Sequence, residues 1–202
     1  MSEGPFPRIT PTLRSAIDPF TDNTVPLGYT LLDFWQWSAS DLLSNAQRGI
    51  LAEFIIARAI GIELTQPRQE WDAYDLVTKD GTRIEVKSSS YLQTWHHEKL
   101  SKVSFSIRKA KFWDPSTGKV SPEPTHAADI YVFALLAHKD KCSVDPMQIE
   151  QWRFYVVPTK ELEKRKRSQH SITLPSLQKI APELRYSDLR AEIERGSSEL
   201  VN

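Results

Sequence analysis

The chain has 202 residues, 40% apolar and 26% charged, with 26 Lys and Arg balancing 26 Asp and Glu. That length supports one well-buried core plus an arm, and that composition excludes a disordered chain. Zero net charge means that any nucleic-acid contact must rely on a local basic face, and the single Cys142 excludes a disulfide framework and an all-cysteine zinc site. The opening MSEGPFPRITPTLR lacks a signal-peptide apolar core, and no run of eighteen apolar residues follows. A cytoplasmic protein without a membrane partner is therefore expected.

Residues 1–29 contain five prolines and no sustained period, which predicts an extended N-terminal arm, with at most a turn or short helix at 13–17, ahead of one domain over 30–202. Phe34, Trp35 and Trp37 suggest a short helix within 31–43. The stretch NAQRGILAEFIIARAIGI predicts the clearest helix. Asn45 can cap it, Ala46, Ile50, Glu53, Phe54, Ala57 and Ile60 fall on adjoining faces, and Gly61 can stop it. Glu53 lies near the apolar side, where a carboxylate needs a partner, a metal or a solvated rim.

Strands are predicted at 73–78, 82–89 and 102–107, then, past a Pro- and Gly-rich loop, in ADIYVFALLA from Ala127 and WRFYVVP from Trp152. Thr159 can cap a short helix, and Ser187 or Asp188 a last polar one. The Asp80-Gly81 turn demands at least one antiparallel pair. The expected fold class is α/β, with a mixed central sheet of about five strands flanked by helices.

Within Arg83-Ile84-Glu85-Val86-Lys87, Ile84 and Val86 share one strand face while Arg83, Glu85 and Lys87 share the other. Two hairpin registers are open. A two-residue Asp80-Gly81 loop pairs Thr78 with Arg83 and sets Asp75 opposite Val86. A three-residue loop with Gly81 left-handed pairs Thr78 with Thr82 and sets Asp75 opposite Glu85. In the second register the two carboxylates stand roughly 5 Å apart at Cβ and repel unless one is neutral or a cation joins them. Oxygen ligands of this kind suit Mg²⁺, with Mn²⁺ as a substitute.

A helix glutamate, then a hairpin with an acid followed by Glu-x-Lys, resembles the PD-(D/E)xK nuclease superfamily, the restriction-endonuclease-like fold. Glu53 matches the helix glutamate, Asp75 the hairpin acid, and Glu85 and Lys87 the Glu-x-Lys pair. Tyr74 stands where a proline is often written, and Asp72 is a second candidate for the acid. The resemblance spans roughly residues 43–157. It implies metal-dependent hydrolysis of DNA by water, in which Glu53, Asp75, Glu85 and the backbone carbonyl of Val86 hold Mg²⁺ and Lys87 positions the nucleophile.

Candidate phosphate contacts are Lys99, Lys102, Arg108, Lys109 and Lys111, preceded by Trp95, His96 and His97. Each lysine equally suits a solvated strand edge. The run from Lys164 to Arg167 is a remote second basic patch. Phe112 and Trp113 are expected to anchor the long loop. Cleavage of both strands of duplex DNA would accommodate a homodimer, and a catalytically inactive nucleic-acid or protein-binding domain of the same fold is the alternative reading.

Overall fold

The computed structural model describes residues 9–68, 73–114, 119–166 and 168–201. These residues fall into two compact units, one within 1–40 and 64–70, the other within 41–63 and 71–202.

In the first unit, β1 (Pro19–Asp22) and β2 (Val25–Thr30) form an antiparallel hairpin that leads into α1 (Leu31–Ala39). The stretch expected as an extended arm thus contains paired strands, and its unit continues past residue 29 into α1. Asn23 and Thr24 both take positive φ at the hairpin tip, which suits its two-residue connection. Asp33 returns to the N-terminus of α1, where its carboxylate accepts from the Thr30 backbone N–H at 2.6 Å.

The second unit opens with α2 (Asn45–Ile60). Ser44, one residue earlier than expected, is the N-cap and accepts from the Gln47 N–H at 3.3 Å, while Gly61 closes the helix with φ of 75°. The buried face carries Arg48, Ala52, Glu53, Ile55, Ile56 and Ala57. Ile50 and Phe54 are exposed.

The strands that follow are β3 (Leu76–Val77), β4 (Arg83–Ser90), β5 (Ser104–Ser106), β6 (Trp113–Asp114), β7 (Lys119–Val120), β8 (Ile130–Leu136) and β9 (Trp152–Pro158). After β9 come α3 (Thr159–Glu163), β10 (Ser171–Thr173), α4 (Leu174–Leu177) and α5 (Leu189–Val201). Among the described residues the central sheet has four strands in the order β3-β4-β8-β9. About five were expected; β5 instead pairs with β10, its ladder joining Ser104–Ser106 to Ser171–Thr173. The sheet is mixed, as expected: β4 and β8 are parallel, and the β3-β4 and β8-β9 pairs are antiparallel.

Both faces of this sheet are covered, so β8 is buried along its whole length and reads as an unbroken apolar run. On one face Ile84, Val86, Ile130, Val132 and Trp152 pack with Ile55 and Ile56 of α2 and Ile193 of α5. On the other, Tyr131, Phe133, Leu135 and Tyr155 pack with Phe105, Leu162, Ile172 and Leu177. Among the described residues no helix is long and apolar enough to cross a membrane.

Candidate active site

The β3-β4 hairpin takes the three-residue loop. Leu76 pairs with Ile84 and Val77 with Arg83, and the Thr78 N–H donates to the Thr82 carbonyl at 3.0 Å. Gly81, at φ of 86°, supplies the left-handed residue of the bulge. Side chains reinforce this choice. Thr78 Oγ1 accepts the Thr82 N–H at 3.0 Å and donates to Asp80, whose other oxygen accepts from Thr82 Oγ1 at 3.2 Å.

The ladder ends at the Leu76-Ile84 pair, and Asp75, the residue just before β3, is tied to β4 beside Glu85. The Asp75 N–H donates to the Ile84 carbonyl at 3.0 Å, and Asp75 Oδ2 accepts the Val86 N–H at 2.7 Å. The carboxylate therefore serves as a ladder acceptor on the hairpin and is immobilised beside Glu85. Lys87 Nζ forms an ion pair with Glu85 Oε1.

Burial pushes the Glu85 carboxyl above its ordinary range, Lys87 pulls it back, and the negative charges of Asp75 and Glu53 add to the rise. Glu53, buried on α2, is thus within electrostatic reach of Glu85. Asp75, Lys87 and Glu53 all act on Glu85 electrostatically, although they come from the residue before β3, from β4 and from α2. Among the described residues, however, no three His, Cys, Asp or Glu side chains form a group able to hold a metal ion as they stand. The second candidate for the acid, Asp72, lies outside the described residues.

Sequence reasoning missed the neighbours that β8 contributes. Its parallel ladder sets Tyr131 against Glu85 and Phe133 against Lys87, and partners in such a ladder face the same side. Tyr131 is buried, and its hydroxyl feels the charges of Glu85, Asp75 and Glu163. At the same end Arg83 grips Asp129 through Nε at 2.9 Å and Nη2 at 2.6 Å, while the Arg83 N–H donates to Asp129 at 2.9 Å. These pairings span 46 residues of sequence and have no local signal.

The five basic candidates are all exposed. Lys109 pairs with Glu163 at 3.3 Å, which places it at the Tyr131 end of the sheet. Lys102 lines a separate cleft with Tyr91, Val103 and Leu174. His97 pins a turn: its Nε2 accepts the Gln93 N–H at 3.3 Å, so Nδ1 is the donor to the Lys99 carbonyl at 3.0 Å. Lys164 pairs with Glu161 at 2.7 Å, and Arg167 lies outside the described residues, as does the side chain of Trp113.

A mixed α/β sheet with helices on its faces and carboxylates gathered at one strand pair is consistent with a restriction-endonuclease-like architecture. The chain belongs to the bacteriophage T4 endonuclease IV family, whose model matches residues 27–175. It is also similar to a solved structure of a bacterial homing endonuclease, with 21% identity, 77% of this chain and 97% of that chain covered, and a TM-score of 0.41. No curated protein matches the chain.

Proposed function

We propose that this protein is a divalent-metal-dependent deoxyribonuclease of the PD-(D/E)xK type, an endonuclease that hydrolyses DNA phosphodiester bonds with water as nucleophile. The observation that supports this reading most directly is the hydrogen bond that ties the Asp75 carboxylate to the Val86 N–H, next to the Glu85-Lys87 ion pair. Membership of a family described as an endonuclease supports the reaction class.

The donor set suits a hard divalent cation. It consists of oxygen ligands, and burial and two neighbouring carboxylates push Glu85 upward against a single lysine, a balance that added positive charge relieves. In this reading Asp75, Glu85, the Val86 carbonyl and Glu53 would hold Mg²⁺, or Mn²⁺ in its place. Such an ion, when bound, would lower the pKa of water and offset charge developing on the phosphate.

Lys87 orients the attacking water and turns its ammonium toward the phosphate. Asp75, locked by the Val86 N–H, keeps its place during turnover, and Glu53 keeps the site negative. Attack by water requires no covalent enzyme intermediate and leaves a 5′-phosphate and a 3′-hydroxyl. Lys99, Lys102, Arg108, Lys109 and Lys111 contact the DNA backbone, and a homodimer supplies a second site for duplex cleavage.

The test is a cleavage assay in Mg²⁺ or Mn²⁺ on linear duplex, supercoiled, branched and single-stranded DNA, with Lys87→Ala beside the parent. Products from the parent alone are expected. Equal cleavage by both proteins would remove the site assignment, and binding without cleavage in either metal would favour the catalytically inactive nucleic-acid-binding domain.

A further inference from the structure

We infer that the Tyr131 hydroxyl is a further catalytic group of this site, donating a hydrogen bond to a non-bridging oxygen of the phosphate being cut. This role rests on the nuclease reading above. The main argument is positional: Tyr131 registers directly against Glu85 in the β4-β8 ladder and shares its face of the sheet.

The ring is held from two sides. His126 meets it edge-on at 5.5 Å and Phe133 stacks against it at 6.0 Å between centroids. The His126 side chain is itself buried, with Nε2 3.1 Å from the Ile107 carbonyl and Nδ1 3.5 Å from Glu163 Oε1. A ring fixed in this way presents its hydroxyl without reorganisation, the condition under which a donor acts most strongly on developing charge.

The hydroxyl is otherwise unexplained. Among the described residues it makes no hydrogen bond, and a phenylalanine would fill the same apolar position between His126 and Phe133. Tyr155, the buried tyrosine on neighbouring β9, is different, because its hydroxyl donates to Glu183 at 2.9 Å and accepts from Gln178 at 3.3 Å.

Single-turnover cleavage of supercoiled plasmid and of an end-labelled duplex in Mg²⁺ tests this role with parent, Tyr131→Phe, Tyr155→Phe and Lys87→Ala proteins. Melting temperature and duplex affinity in Ca²⁺ are measured beside it. Tyr131→Phe should cut on the order of 10²-fold more slowly, the effect of losing one preorganised donor, with melting temperature and affinity unchanged. Tyr155→Phe should melt lower and cut at the parent's rate.

Parent-like cleavage by Tyr131→Phe beside an inactive Lys87→Ala would overturn the Tyr131 role and leave the nuclease reading intact. A slower Tyr131→Phe whose melting temperature or affinity falls in step would also overturn it, in favour of a packing role. A parent inactive in both metals, or a fully active Lys87→Ala, would overturn the nuclease reading and this role with it.

Discussion

The Asp75 carboxylate accepts the backbone N–H of Val86 at 2.7 Å, so a side chain entering the hairpin occupies a ladder position on β4. One group thereby aligns the strand pair and fixes a negative charge beside Glu85. Asp75→Ala should lower stability by about 1–3 kcal/mol, because a partly buried N–H loses a charged acceptor. Asp75→Asn retains an acceptor and should cost less. Urea denaturation separates the two, while plasmid cleavage should be lost in both.

Gly81 has open space around the position where a Cβ would stand, so only its φ of 86° resists substitution. Gly81→Val should cost about 1–2 kcal/mol, the strain of a left-handed backbone bearing a side chain. Gly81→Asn should be better tolerated, since Asn enters that region more readily. Thermal melts of the two variants provide the comparison.

Glu85 has its carboxyl raised above the ordinary value of 4.5, first by burial. Above that value the folded state retains a proton that the unfolded chain releases, so stability falls as pH rises toward the folded pKa. Glu85→Gln should therefore melt above the parent at neutral pH, and the gap should close below about pH 4.5. Mg²⁺ should raise the melting temperature of the parent more than that of Glu85→Gln, measured against EDTA.

Asp129 behaves in the opposite sense, since hydrogen bonds from Arg83 hold its carboxyl below the ordinary 3.8. Its contribution is complete above that value and is lost as pH falls through the folded pKa. Asp129→Asn should cost about 1 kcal/mol at neutral pH, a modest figure because the Arg83 side chain is 45% exposed and solvent screens the pair. The deficit should shrink in acid, as followed by denaturant titrations across pH.

The exposed Arg108 and Lys111 are tested through salt. Each Ala substitution should weaken duplex binding evenly across sequences and reduce the slope of log affinity against log salt by about 1. Fluorescence anisotropy from low to high salt measures that slope. Unaltered slopes would remove both residues from the contact surface.

Much of the second unit was legible locally. WRFYVVP is β9 residue for residue, Gly61 ends α2 as its position suggested, and the antiparallel β3-β4 pair follows from the Asp80-Gly81 turn. The capping of α2 by Ser44 and the pairing of β5 with β10 were not legible. Neighbouring polar residues compete for one cap, and a three-residue strand bonds whichever distant edge the fold brings to it.

The sequence by itself determined the alternation that puts Glu85 and Lys87 on one face of β4, and it narrowed the hairpin to two registers. Only the tertiary structure decided between them. Turn propensity permits both loops, whereas the Thr78, Asp80 and Thr82 hydrogen bonds together with the Asp75 bond to Val86 are satisfied in the longer one. The approach of Glu53 and the alignment of Tyr131 with Glu85 were likewise decided by packing, because helix docking and parallel pairing join residues whose separation along the chain carries no local signal.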